Sequence, residues 1–294
     1  MPTNIINGKE IASAIKFEIA EELRKIKNNT GKDAGLAVIL VGNNPASTVY
    51  VRNKKKACQE VGIRSSEYHL PKETQQDTLL NLINSLNQNP EIHGILVQLP
   101  LPDHIQSDKI INSINPDKDV DGFHPINVGK LVANTASLIS CTPLGVMALL
   151  DKSEIPIEGK KVVIVGRSNI VGKPAALLFL HRNATVTICH SKTKNLSDYT
   201  NKADILVAAI GKPAFIKADM VKKGAVVIDV GINRDEAGLI GDVDFTEVKE
   251  RVSYITPVPG GVGPMTIAML MKNTLIAFKN TLNKNMINHE GHKG

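Results

Sequence analysis

Ser47, Tyr50 and Lys54 fall at i, i+3 and i+7, so a helix here carries a hydroxyl, a phenol and an amine on one face. A face that only packs is apolar, and a lysine in such a stripe ordinarily lays its stem on the surface with its ammonium in water. Two further polar features favour chemistry. Gln98 interrupts the apolar run Gly94-Ile95-Leu96-Val97-Gln98-Leu99 near its carboxyl end, where ligands gather in open α/β sheets. Asp117, Asp119 and Asp121 crowd the loop from Asn115 to Phe123. Three carboxylates in five residues fit a solvated turn or a calcium-like loop, but the EF-hand spacing does not continue. An amine, an amide and carboxylates are groups that proton transfer and polar-substrate binding draw on. Spacing alone does not say which of them acts.

A second centre lies between Val162 and Pro174. The strand-like run Val162-Val163-Ile164-Val165 stops at Gly166, a polar turn follows, and Gly172 and Pro174 open the helical run Ala175 to Leu180. Such a turn sets backbone N–H groups and a helix N-terminus against a phosphate. The spacing is not G-x-G-x-x-G, because no glycine stands between Gly166 and Gly172, and a plain αβ connection has the same look. The following strand, Thr185 to Cys189, runs into His190-Ser191-Lys192-Thr193-Lys194. An NAD site carries an acid about 20 residues on for the ribose 2′-hydroxyl. None is present here. A carboxylate would repel a 2′-phosphate, whereas Ser191 and nearby cations hold one, and Arg167 adds a guanidinium. The expected cofactor is therefore NADP rather than NAD. Lys192 and Lys194 also fit a solvated turn.

These residues need a scaffold, and the chain alternates helix and strand throughout. The patterns predict a helix over 11–26, strands over 35–41, 62–70 and 94–99, and helices over 46–61, 74–87, 109–114 and 144–150. Gly62 is expected to cap the second helix. Four short strands (162–165, 185–189, 205–208 and 225–229) are separated by helices or loops, which predicts a parallel sheet. A last helix over 264–282 is long enough to pack back on the first domain. At 294 residues two domains are expected. The division is 1–141, completed by helix 264–282, then 142–263, then a polar, frayed tail over 283–294. The tail's two histidines read as solvated, not as a metal site.

Composition narrows the function. Trp is absent and aromatics make up 3%, which argues against a nucleic-acid surface built on base stacking. The net charge of +6 is scattered and suits anionic small molecules. Cys58, Cys141 and Cys189 are far apart, with no C-x-x-C pair, so neither disulfide nor zinc is indicated. The N-terminus lacks signal-peptide blocks, and no apolar run reaches the roughly 18 residues of a membrane span. A cytoplasmic, reduced enzyme without a metal is expected.

Several motifs are more specific. They are Pro45-Ala46-Ser47 with Tyr50-Val51 and Asn53-Lys54, then Gly94 through Pro102, then Lys118-Asp119-Val120-Asp121-Gly122-Phe123. Gly166-Arg167-Ser168 with Val171-Gly172-Lys173-Pro174, Cys189 through Thr193, and Thr256-Pro257-Val258-Pro259-Gly260-Gly261-Val262-Gly263-Pro264 complete the set. Together they resemble the bifunctional methylenetetrahydrofolate dehydrogenase/cyclohydrolase family, from Ile5 to about Ala277. The resemblance implies an α/β fold of two domains, an N-terminal α/β substrate domain and a Rossmann-like parallel-sheet dinucleotide domain, with a cleft between them. It implies a homodimer joined through the cofactor domain. Lys54 becomes the cyclohydrolase base, Gln98 orients it, Tyr50 stacks on the folate beside Ser47, and Asp121 binds the pterin. Gly166, Arg167, Ser168, Ser191, Ile232 and Thr256 line the NADP side, and Pro259, Gly260 and Gly261 form the turn where cofactor and folate meet. Formate–tetrahydrofolate ligation is not expected. An NAD-linked or dehydrogenase-only relative is the nearest alternative. A non-catalytic dinucleotide sensor and a nucleic-acid binder are more remote.

Overall fold

The computed structural model describes residues 3–235 and 238–290, without the side chains of Ala46, Asp235 and residues 285–290. In chain order the first elements are β1 (Asn4–Ile5), α1 (Gly8–Thr30), β2 (Gly35–Val41), α2 (Pro45–Val61), β3 (Arg64–Leu70), α3 (Gln76–Gln88) and β4 (Gly94–Val97). Then come α4 (Ser107–Ser113), α5 (Pro125–Val132), α6 (Cys141–Lys152), β5 (Lys161–Val165), α7 (Gly172–His181), β6 (Thr185–Cys189) and α8 (Ser197–Thr200). The remainder is β7 (Ile205–Ala208), β8 (Val226–Asp229), β9 (Asn233–Asp235), β10 (Gly238–Ile240), α9 (Phe245–Val248), β11 (Tyr254–Ile255) and α10 (Val262–Glu290).

Two compact units result. One holds Ala14–Ile139 with Leu270–Gly294. Its sheet has the order β3-β2-β4, parallel throughout. Every residue of the central strand β2 is buried, as expected of a parallel strand covered on both faces. On one side α3 sends Leu79, Ile83 and Leu86 into a core with Ile39, Val41, Ile95 and Val97. The end of α10 belongs to the same unit. Phe278 meets the His93 ring edge-on with centroids 4.6 Å apart, and Met271 Sδ lies 3.7 Å from Cys58 Sγ. Gly62 ends α2 as expected, with a left-handed φ of 84° and its N–H on the Cys58 carbonyl.

The other unit holds Met1–Ser13 with Ser140–Met269. Its six-stranded parallel sheet has the order β1-β11-β8-β7-β5-β6. β5, β7 and β8 are almost wholly buried, which explains their unbroken apolar sequences.

Three expectations change. Residues 1–13 do not join 14–141, because β1 pairs with β11 and the Lys9 N–H donates to the Gly260 carbonyl. The last helix starts at Val262 and its residues are shared between the units, with 270 onward alone joining the unit that holds Ala14–Ile139. The tail is not frayed from 283. With no glycine or proline between Pro264 and Gly291, α10 continues to Glu290, and Lys284 pairs with Asp117 at 2.6 Å. Residues 291–294 lie outside the described residues. Pattern reading also missed α5, the β9–β10 hairpin and the two-residue strands β1 and β11.

Candidate active site

In the sheet β3-β2-β4 the chain leaves β2 to one side and returns to β4 on the other, so the order reverses between β2 and β4. Lys54 and Gln98 belong to the elements that flank this reversal. Asn44 caps α2, its Oδ1 accepting the Ser47 N–H at 3.1 Å, with Pro45 at the first helical position. From there the helix period puts Ser47 (3% exposed), Tyr50 and Lys54 (9% exposed) on one face. Lys55 and Lys56 turn elsewhere and pair with Glu67 and Glu60. Beyond β4, the Gln98 N–H donates to the Ile39 carbonyl at 2.8 Å. Gln98 Nε2 donates to the Leu99 carbonyl at 2.7 Å, so Oε1 faces Lys54 Nζ and accepts from it at 2.9 Å. Tyr50 is the most exposed of the three, and partial burial raises its hydroxyl's pKa above the ordinary value.

The three neighbouring carboxylates do three different jobs. Asp117 is exposed and pairs with Lys284. Asp119 is buried and accepts from the Phe123 and His124 N–H groups and from Asn127 Nδ2, so it organises the loop. Asp121 is the one held close to Lys54 electrostatically. Burial pushes its carboxyl up to about 6, Lys54 pulls it down, and Asp119 pushes it up. The loop lies along β4, with the Ile95 N–H on the Lys118 carbonyl. Gly94 makes this possible, since a Cβ there would stand 2.7 Å from Val120 Cγ1. Asn273 on α10 clamps the loop from above, donating to the Val120 and Ile139 carbonyls, each at 2.8 Å.

In the other unit the strand order reverses between β5 and β7. Gly166 follows β5 with φ 139°, and a Cβ on it would overlap the Ala209 carbonyl beyond β7. A Cβ on Gly172 would in turn overlap the Gly166 carbonyl. The turn is thus bare backbone leading into α7, with Arg167 and Ser191 exposed beside the strand ends. This is a cradle fit for a dinucleotide phosphate. Ser168 is placed differently from a simple ligand: its Oγ accepts the Val171 and Gly172 N–H groups at 3.1 and 3.3 Å and holds the turn that opens α7. Thr256 is buried, and its Oγ1 accepts the Asp229 N–H at 2.7 Å. Ile232 is exposed. Pro259, Gly260 and Gly261 lie in this unit too, packed against Gly8 and Lys9 at the start of α1.

Residues 6–121 match the catalytic-domain model of tetrahydrofolate dehydrogenase/cyclohydrolase, and residues 140–282 match its NAD(P)-binding-domain model. The chain belongs to the tetrahydrofolate dehydrogenase/cyclohydrolase family. It is 61% identical to the bifunctional protein FolD of Lachnoclostridium phytofermentans, over 94% of this chain and 98% of that one. The FolD crystal structure from Campylobacter jejuni is 55% identical, with a TM-score of 0.92 over 95% of this chain and 99% of that one. FolD from Trypanosoma brucei, solved with NADP cofactor and an inhibitor, is 40% identical with a TM-score of 0.92, covering 96% of this chain and 99% of that one.

Within this family member, the structure brings Lys54 and Gln98 into contact and sets Asp121 near their charge. Ser47 and Tyr50 share the helix face. Sequence reading singled out no role for Asn44, Gly94, Asp119 or Asn273. Asn44 was legible as a cap before Pro45, whereas nothing local marked Asn273, whose partners lie more than 130 residues away.

Proposed function

We propose that the two activities of this bifunctional dehydrogenase and cyclohydrolase divide by residue, with hydride transfer resting on positioning and hydrolysis on Lys54. The enzyme oxidises 5,10-methylenetetrahydrofolate and hydrolyses the resulting 5,10-methenyltetrahydrofolate to 10-formyltetrahydrofolate. NADP, when bound, supplies the hydride acceptor. Gly166, Arg167, Ser168, Ser191, Ile232 and Thr256 would line its site, Ser168 and Thr256 by fixing the backbone around it and Arg167 and Ser191 by meeting a 2′-phosphate. Asp121 accepts hydrogen bonds from the amino-pyrimidine edge of the pterin, Tyr50 stacks on the folate beside Ser47, and Pro259, Gly260 and Gly261 border the folate.

Oxidation leaves a carbon cation shared by two nitrogens, and no side chain need take a proton in that step. Hydration differs, because the attacking water must lose one. The Lys54–Gln98 contact carries the assignment. Gln98 Oε1 is a neutral acceptor held in place by the Leu99 carbonyl. It takes one N–H of the Lys54 amino group and so fixes the direction in which that group faces. The methenyl cation beside Lys54 disfavours a second positive charge.

The test is to supply methylenetetrahydrofolate with NADP or NAD and follow nicotinamide reduction and methenyl absorbance together. Reduction with NADP preferred, and a methenyl signal that decays to formyl product, is expected. Reduction without hydrolysis would leave the dehydrogenase-only alternative, and equal turnover of both nucleotides the NAD-linked one. The reading extends to a cytoplasmic homodimer. It is supported by the family resemblance and by the lack, among the described residues, of a helix long and apolar enough to cross a membrane. Sedimentation at assay concentration tests the dimer.

A further inference from the structure

Two carboxylates, Asp229 and Asp242, are buried in the cofactor-side unit at 3% and 0% exposure. Neither belongs to the site residues named above. Asp242 accepts from three consecutive backbone N–H groups: Ile210 at 2.5 Å, Gly211 at 2.9 Å and Lys212 at 2.9 Å. Asn233 Nδ2 is a fourth donor at 2.9 Å. Consecutive N–H groups converging on one anion form a nest, and here Gly211, with φ 73°, bends the backbone to make it. Asp229 accepts from Gly231, Asp242 and Val243 N–H groups, each at 2.9 Å. All seven donors are neutral. The neighbours are shaped to admit the acids, since a Cβ on Gly231 would overlap Asp242 and one on Gly241 would overlap Asp229.

What the pair holds is informative. Residues 210–212 directly follow Ala209, whose carbonyl fills the space that a Gly166 side chain would need. Gly231 and Asn233, bound by Asp229 and Asp242, flank Ile232. The Asp229 N–H bonds Thr256 Oγ1. Two cofactor-side segments, the one after Ala209 and the one around Ile232, are therefore held by one acid pair, and Thr256 bonds the backbone of the same residue 229.

We infer that Asp242, braced by Asp229, is a positioning residue that presets the loops after β7 and β8 to receive the nicotinamide nucleotide. The inference rests on the placement of NADP proposed above. Buried ion–dipole contacts of this kind fix loop geometry before a ligand arrives, so their loss appears as weakened binding of that ligand.

The experiment uses cofactor-free hydrolysis of methenyltetrahydrofolate as an internal control. Asp242→Asn keeps the shape but turns an N–H-bearing group toward N–H donors. NADP KM should rise about tenfold or more, dehydrogenase kcat should fall less, and methenyl hydrolysis should stay within about twofold of wild type. Asn233→Ala, which removes one donor, and Gly211→Ala, which strains the nest, should raise NADP KM more modestly, and they carry the test if the first variant does not fold. Unchanged NADP KM in a folded variant, or hydrolysis falling in step with oxidation, would overturn the inference. Ser191→Asp is run alongside. If it raises NADP KM and the nest variants do not, the positioning role alone fails; if none does, the cofactor placement fails with it.

Discussion

Asp121 is a carboxylate that the fold holds at a cost, and replacing it by asparagine should expose that cost. Its pKa is raised from 3.8 to about 6, with burial as the main cause, opposed by Lys54 and reinforced by Asp119. The unfolded chain releases this proton near 3.8, so between about 4 and about 6 the folded state binds more protons than the unfolded one. Stability is therefore greatest below 3.8 and declines as pH rises through about 6. With 1.36 kcal/mol for each pKa unit, the ionised group costs on the order of 3 kcal/mol at neutral pH, the attraction of Lys54 already included. Asp121→Asn removes the charge and keeps the volume. Its melting temperature should exceed the wild type's at pH 8, by roughly 2–4 °C per kcal/mol recovered, and the gain should vanish at pH 4. Folate binding and both activities should collapse while NADP still binds, because a neutral amide cannot match the pterin's N–H donors. For the wild type, folate KM should rise as pH falls below about 6. Thermal melts at the two pH values, with NADP titration of both proteins, check this. A variant less stable than wild type at pH 8, losing NADP affinity equally, would show Asp121 to be a loop-forming group and refute the reasoning.

Ser191→Asp should weaken NADP binding at least about tenfold while sparing NAD, since two like charges about 4 Å apart repel by up to ~4 kcal/mol at an effective dielectric of 20; kcat/KM for both nucleotides reads this out. Gly94→Ala forces a methyl group to within 2.7 Å of Val120 Cγ1. It should cost about 1–3 kcal/mol by overpacking. Because Val120 adjoins Asp121, folate KM should rise while NADP KM stays constant, which paired titrations would show.

The buried strands and the helices between them were legible because a parallel sheet covered on both faces requires unbroken apolar runs, as in β2, β5 and β7. The shared face of Ser47, Tyr50 and Lys54 followed from helix period alone, and the polar interruption at Gln98 marked the end of β4. Their contact was implied by the family resemblance but not by spacing, because the Lys54–Gln98 hydrogen bond spans 44 residues and depends on the Leu99 carbonyl turning the amide. The acidic loop shows the limit of local pattern most clearly. Asp117, Asp119 and Asp121 look alike in sequence, and only the groups around them separate an ion pair with Lys284, a loop organiser and a carboxylate beside Lys54. Short elements such as β1 and β11 have two residues each, too few for a period to declare itself. The continuation of α10 past 282 was hidden by polar composition, although the chain offers no helix breaker before Gly291.

Lys54→Met tests the central claim most directly. The thioether keeps much of the aliphatic stem, so the buried face of α2 packs as before, while the proton acceptor beside Gln98 is gone. Methenyltetrahydrofolate hydrolysis should fall by at least the roughly 10²–10⁴-fold of a lost general base, ~3–5 kcal/mol in barrier height. NADP-dependent oxidation should fall much less. The measurement is methenyl absorbance against time beside NADPH formation, with the variant run forward on methylenetetrahydrofolate. The methenyl compound should accumulate in step with NADPH. Its hydrolysis at the wild-type rate would remove Lys54 from the chemistry and leave it a lysine that merely bonds Gln98.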